Sequence, residues 1–242
     1  MERLLKALLL IALGLYLYTR LTSGVIEFYI HPRFIALVLL ASVGLLIVAA
    51  SFFLHPETHN HDHAQGDHAH HHLSWLGLFV LAVPVVLGLL VPPQPLGAAA
   101  VGNREVQVGG LSSIAPPRSD ERMGLIAGEK NILDWLTDFQ RNPDPTTFNG
   151  VEATLTGFLY RDERFAADQF LLGRFIVSCC VADASPVGVI VRSDQASNYA
   201  ADQWLQVQGI FQAGRFINAE MPILIATEIT PIDQPQQPYL YP

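Results

Sequence analysis

The chain is 242 residues long, half of them hydrophobic and only 15% charged, with a net charge of −8. An acidic chain this apolar is neither disordered nor a nucleic-acid binder that relies on net positive charge, and two cysteines cannot staple a fold of this size. The charge is uneven, with net −1 over residues 1–101 and net −7 over residues 102–242. Composition therefore predicts an N-terminal membrane part and a water-exposed C-terminal part, with a boundary near residue 100.

Long uncharged stretches dominate the N-terminal part. Phe34–Leu54 is 21 residues without a charge, which at 1.5 Å per residue crosses a hydrocarbon core of about 30 Å. Leu73–Val91 is a second such run, and a membrane helix tolerates Pro84 within it. Lys6 interrupts an earlier apolar stretch and can reach the headgroups. We predict three transmembrane helices, at 4–22, 34–54 and 73–92.

Two alternatives apply to these helices. Arg3 and Lys6 ahead of an apolar stretch are also typical of a signal peptide, but no clean small-residue cleavage site follows, so we expect a retained helix. The later spans could be buried core helices, but the remaining chain could not cover both. The basic residues lean towards an N-terminus inside the cell. We therefore expect a multi-pass protein of the cell membrane with its C-terminal domain extracytoplasmic.

The segment between the second and third predicted helices is rich in histidine. Neutral imidazole suits zinc, copper and nickel, and nearby carboxylates can complete a shell, so we expect loose binding of zinc or another divalent transition metal. The alternative is a solvated low-complexity linker that binds metal incidentally. The candidate ligands in this loop, residues 55–72, are His55, His59, His61, His63, His68, His70, His71 and His72.

The C-terminal part reads as one helix followed by five strands. The apolar spacing predicts a helix over Glu129–Gln140, and a helical element is expected at Asp194–Asp202, between the third and fourth strands. This order predicts an OB-like five-stranded barrel, with another small β-rich fold such as an open α+β sheet as the alternative. The predicted domains are 1–92, a linker at 93–128, and 129–242. The predicted strands are Val151–Arg161, Gln169–Val181, Val187–Arg192, Trp204–Phe211 and Ile223–Ile229.

The candidate site chemistry of this domain lies at Cys179 and Cys180, followed by Asp183. Adjacent strand residues point to opposite faces, so both cysteines can face one pocket only where the strand ends or bulges. Three interpretations stay open. One cysteine belongs to the core and the other is incidental, or the pair and Asp183 bind a soft metal, or the pair is redox-active.

Several segments resemble a known family. They are Ile30–Arg33, Gly157–Arg161, Arg174–Ala184 with its double cysteine, and Pro238–Tyr241, together with the histidine-rich loop. On these residues the chain resembles the YcgQ-like two-component permease subunits, bacterial membrane proteins of unknown biochemistry. The resemblance implies a multi-helix membrane permease as partner. It supplies no catalytic residues.

Three functions from different classes follow. The first is a non-catalytic membrane subunit that partners a permease, with metal-linked transport as one form. The second is a metal-buffering or metal-delivery protein, and the third is a membrane-anchored thiol oxidoreductase. The sequence holds no Gly-rich phosphate loop, G-x-S-x-G or H-E-x-x-H motif, so we expect no enzyme. The expected partners are the permease and the lipid bilayer, with no nucleic acid.

Overall fold

A computed structural model of the chain describes residues 2–54, 75–102, 107–108 and 130–242. The chain divides into two compact units, Met1–Gln94 and Pro95–Pro242. The predicted histidine loop, residues 55–72, lies outside the described residues, as does most of the predicted linker.

The first unit is helical. It contains α1 (Glu2–Thr22), α2 (Ile35–Leu54) and α3 (Trp75–Leu90). Two stretches in described helices are long and apolar enough to cross a membrane, Leu4–Thr22 and Pro32–Phe52. The described α3 has 16 residues, short of the roughly 20 that a membrane span needs. Of the three transmembrane helices predicted from the sequence, two are thus long and apolar enough in the described residues to cross a membrane.

Polar groups inside the first unit form hydrogen bonds from one helix to another. The buried Ser42 hydroxyl of α2 donates to the Gly14 carbonyl oxygen of α1 at 2.8 Å. The Arg20 guanidinium near the end of α1 donates to the Gly88 carbonyl oxygen of α3 at 2.5 Å. Gly88 also packs against Tyr16, whose hydroxyl would lie 2.1 Å from an added Cβ. The small residues Ser42 and Gly88 therefore hold the three helices together.

The second unit is built around a seven-stranded mixed sheet with two short helices. The helices are α4 (Ala98–Val101) and α5 (Ile132–Arg141). The strands are β1 (Gln107–Val108), β2 (Glu152–Tyr160), β3 (Gln169–Ile176), β4 (Ser185–Arg192), β5 (Trp204–Phe216), β6 (Ala219–Pro231) and β7 (Tyr239–Leu240).

Five of these strands form a closed ring of pairings. The pairs β2–β3, β3–β4, β5–β6 and β2–β5 are antiparallel, whereas β4 and β6 pair in parallel. β1 adds to β4 and β7 adds to β3, both in parallel. A register shift opposite Gln208 and Gly209 of β5 marks a bulge at Thr227 of β6, and a Cβ added to Gly209 would lie 2.3 Å from the Ile225 carbonyl oxygen. Only glycine fits so close to a neighbouring backbone.

The apolar face of α5 joins the main core. Asn131 caps the helix by accepting from the Leu133 and Asp134 amides, while Asp134 accepts from the Asn131 amide. The predicted apolar positions are all buried, and Trp135 packs against Phe211 of β5 with ring centroids 4.8 Å apart. The other buried positions on this face are Ile132, Leu133, Leu136 and Phe139.

Four strands differ most from the sequence predictions. β3 ends at Ile176 instead of Val181, because the Val177 amide donates to Leu240 and the next three amides turn towards a carboxylate. β5 and β6 run further than expected, to Phe216 and from Ala219, as one long hairpin. The proline-rich tail, in which no strand was predicted, supplies the short strand β7.

Candidate functional site

The candidate site is the connection between β3 and β4. The last residues paired between these strands are Ile176 and Ser185. The chain between them carries both cysteines and ends in a short 3₁₀ turn, Val181–Asp183. We call residues 178–183 the cysteine turn.

One carboxylate organises the cysteine turn. The Ser178 amide donates to Asp183 Oδ1 at 3.0 Å, and the Cys179 and Cys180 amides donate to Asp183 Oδ2 at 2.7 and 3.3 Å. A carboxylate is the acceptor best able to satisfy several converging backbone donors, since each oxygen has two lone pairs. Asp183 therefore wraps the preceding residues around itself.

This wrapping brings the two thiols together. One ligand atom from each of Cys179, Cys180 and Asp183 lies within 4.8 Å of the other two, and the described residues hold this one group of three metal-ligating side chains. Cys179 and Asp183 are exposed, Cys180 is half-buried, and neither cysteine is in a disulfide. The prediction that the pair lies within a strand was wrong. Because the strand ends earlier, alternation no longer separates the two side chains.

The C-terminal tail supports the strand that leads into the turn. Tyr239 and Leu240 of β7 pair with Phe175 and Ile176 of β3, and the Val177 amide donates to the Leu240 carbonyl oxygen at 3.0 Å. The last paired residue thus lies two positions before Ser178. The cysteine turn is anchored on this side by a ladder whose other strand comes from the end of the chain.

Arg174 of β3 holds the tail in place. Its guanidinium donates to the Pro238 carbonyl oxygen at 3.1 Å and to that of Gln237, and it lies over the Trp204 ring at 5.6 Å. Burial lowers the pKa of Arg174 to about 10, because the charged form loses its hydration. Sequence reasoning gave Arg174 no role, although a basic residue inside an otherwise apolar strand is a signal of a buried polar contact.

A second side chain missed from the sequence is Asp202. It has a left-handed backbone, with φ at 70°, and its carboxylate accepts from the Ala98 amide at 2.6 Å. The Tyr239 hydroxyl accepts from the Leu96 amide at 2.9 Å. Together these bonds tie the segment that begins the second unit to its sheet and its tail.

The charged side chains of Arg161, Asp162 and Arg164 bond to neighbouring side chains and backbone carbonyl groups. The Arg164 guanidinium bonds to Asp162 at 2.6 to 3.0 Å, and the Tyr160 hydroxyl donates to the same carboxylate at 2.9 Å. The hydrogen bond from Arg164 is the main cause of a low pKa for Asp162, about 2. The Arg161 guanidinium bonds to the carbonyl oxygens of Gln169 and Ala196.

The structure brings together three of the predicted metal ligands, Cys179, Cys180 and Asp183. The other eight, all histidines, lie outside the described residues. An open groove of about 330 Å³ beside the bulge in β6 is lined in part by Glu152 and Thr154. Its lining residues contribute no thiol or imidazole. The cysteine turn is therefore the strongest candidate site in the described part of the chain.

Apolar N-terminal helices followed by a β-sheet unit are typical of a membrane-associated class of chains. The model of the DUF1980 N-terminal domain matches residues 5–107, and that of the DUF1980 C-terminal domain matches residues 117–242. The chain belongs to the DUF1980 family. The resemblance to YcgQ-like proteins is confirmed by a Bacillus subtilis relative named "UPF0703 protein YcgQ", 24% identical over 99 residues, or 40% of this chain and 35% of the relative.

Another relative matches nearly the whole chain. It is a Streptococcus mutans protein named "Putative two-component membrane permease complex subunit". The two are 22% identical over 265 residues, which cover 95% of this chain and 94% of the relative. The similarity therefore includes both units of the chain.

Proposed function

We propose that this protein is a non-catalytic membrane subunit that assembles with a multi-helix permease. The observation that carries the proposal is the similarity, over 95% of the chain, to a relative whose name describes a subunit of a membrane permease complex. Two helices of suitable length and apolarity support the membrane location. Three helices offer few polar groups for a solute pathway, so the permease supplies that pathway.

In this proposal α3 completes a third crossing. The ends of α1 and α3 meet where Arg20 bonds to Gly88, so the two helices run in the same direction. Three successive crossings produce this arrangement, with α2 running the opposite way. An arginine near the end of a span can reach the interface while bonding to a helix carbonyl group.

The outward face of α2 is the proposed contact with the permease. Leu40 and Ile47 are 67% and 64% exposed, and Gly44 between them has open space where a Cβ would lie. Small residues let membrane helices approach closely, because the van der Waals contact then involves the backbone. Ser42 and Gly88, by contrast, are used within the first unit.

The second unit is the proposed docking module, with an OB-type barrel. The ring β2–β3–β4–β6–β5 with its parallel β4–β6 pair supports this assignment. OB domains bind oligonucleotides on the outer face of their second and third strands. Here Leu171 and Ile190 on that face are buried under Phe216 and Ile223 of the long hairpin. The covered face and the acidic composition favour a protein partner over a nucleic acid.

Co-purification tests the assembly. We expect the full tagged chain, co-expressed with its chromosomal neighbours and extracted in mild detergent, to retain a multi-helix membrane protein. Gly44→Leu should reduce the recovered partner, since it adds bulk to the outward face without an internal clash. Ala50→Leu, on another exposed part of α2, is the matched control and should retain the partner. Recovery of the tagged chain alone would contradict the proposal.

A further inference from the structure

We propose that Cys179, Cys180 and Asp183 form a binding site for a thiophilic divalent cation of the zinc class, in exchange with solvent. This goes beyond a permease-subunit role, which requires no metal. The starting observation is that two thiols and a carboxylate converge within 4.8 Å on one short turn.

The separations suit such an ion without rebuilding the turn. Tetrahedral zinc holds thiolate sulfurs at about 2.3 Å, which places two sulfurs about 3.8 Å apart. The ligand atoms of the three side chains all fall within 4.8 Å of each other, so small side-chain rotations bring them into the coordination shell. Adjacent cysteines reach this geometry here because both lie beyond the end of β3.

Hydrogen bonds within the protein fix the backbone of the turn. Among the described residues, Asp183 Oδ2 accepts two amides, from Cys179 and Cys180, and Oδ1 accepts one, from Ser178. Oδ1 therefore keeps a lone pair for a cation. The tail strand fixes the other side of the turn through the bond from Val177 to Leu240. Ordering the ligands in advance lowers the entropy cost of binding.

The donor set determines which ions fit. The two thiolates are soft ligands, and although the carboxylate is a hard one, a set with two thiolates favours zinc-like ions over calcium or magnesium. Three protein ligands leave a fourth tetrahedral position for water or an incoming ligand, unlike the closed set of a structural zinc site. Cys179 and Asp183 are exposed, so the ion can enter and leave. The site thus suits transfer or sensing of a metal ion.

Cadmium is the probe that separates the thiols from the imidazoles, because thiolate bound to cadmium gives an ultraviolet charge-transfer band. We expect the full chain, purified in detergent with a reductant and shown to have two titratable thiols, to develop this band with one cadmium per chain. Zinc should remove the band by competition. A variant with all eight loop histidines changed to alanine should keep the band.

Variants of the turn sharpen the test. Cys179→Ser and Cys180→Ser should each weaken the band strongly, while leaving the melting temperature of the metal-free protein unchanged, since neither residue is in the core. Asp183→Asn should lower cadmium affinity by at least about 10- to 100-fold, because the loss of an outer-shell partner alone costs that much and Asp183 is also a ligand. Asp144→Asn is the matched control, because Asp144 also accepts an amide at the start of a 3₁₀ turn, from Thr146.

Two results would overturn the site. One is the absence of a thiolate band although both thiols titrate in the same sample. The other is a band that persists when Cys179 and Cys180 are both serine. Either result leaves co-purification with a permease unaffected, so the two proposals fail separately.

Discussion

At the scale of single residues, the Asp162–Arg164 pair carries a pH signature. The folded pKa of Asp162 is about 2, below the usual value near 3.9, chiefly because Arg164 donates hydrogen bonds to the carboxylate. A carboxyl group with a lowered folded pKa stabilises the fold above its unfolded pKa and loses that contribution as pH falls towards 2. Both side chains are partly exposed, so the contribution is below about 1 kcal/mol.

The test compares the free energy of unfolding of the full wild-type chain with that of its Asp162→Asn variant. We expect the wild type to be slightly more stable at pH 6, and the difference to shrink from about pH 4 and to vanish below about pH 2. Denaturant unfolding of the detergent-solubilised chain, followed by the fluorescence of the buried Trp135, measures this. If the stability difference in favour of the wild type grew as pH fell, the pair would not act as described.

Arg174 is the residue that holds the tail. Arg174→Ala removes the guanidinium bonds to the carbonyl oxygens of residues 237 and 238, and we expect about 2 kcal/mol of lost stability. Hydrogen exchange at the Val177 amide, which donates to Leu240, should become faster. Arg215→Ala, at an exposed arginine of β5, is the control and should change neither quantity. Unchanged exchange at Val177 in Arg174→Ala would contradict the tail's role.

At the scale of elements, close strand packing depends on Gly157 in β2. An added Cβ would lie 2.6 Å from the Gly173 carbonyl oxygen of β3, a backbone atom that cannot move aside alone. We expect Gly157→Ala to cost about 1–3 kcal/mol, the usual range for overpacking. Gly102→Ala, where the nearest atom is 4.0 Å away, should stay within about 0.5 kcal/mol. Equal unfolding midpoints for the two variants would refute this packing argument.

The elements differ in how far the sequence could predict them. The helix α5 follows from local signals, because its apolar spacing and the cap at Asn131 lie in adjacent residues. The strand β7 could not be predicted, because its partner β3 lies more than 60 residues earlier and the tail itself is rich in proline. The outer part of the β5–β6 hairpin was missed because Phe216 and Ile223 bury themselves on the outside of the sheet, a contact that alternation does not reveal.

The shape of the cysteine turn could not be predicted from the sequence either, although the residues involved are close together in the chain. The residue types Cys179, Cys180 and Asp183 marked a metal site in the sequence, but the assumption of a continuous strand kept the thiols apart. The end of β3 depends on a bond from Val177 to the tail and on the carboxylate of Asp183, a side chain three residues beyond Cys180. Neither contact can be predicted from strand propensity alone.

At the scale of the whole molecule, the flanking charges predict a topology. Arg3 and Lys6 favour an N-terminus inside the cell, so with the three crossings that we propose we expect the second unit outside the cytoplasm and residues 55–72 inside. A phosphatase fused after Pro242, which works only outside the cytoplasm, should be active, and a cytoplasmic reporter at the same point should be silent. The reverse pattern would overturn this orientation.

The mass of the solubilised assembly decides whether this chain acts as a permease partner. Native mass spectrometry of the tagged full chain, co-expressed with its chromosomal neighbours, should give a complex heavier than any multiple of 26.6 kDa. Raising the collision energy should release a multi-helix membrane protein from that complex. A spectrum that contains only 26.6 kDa chains or their multiples would contradict the proposed role.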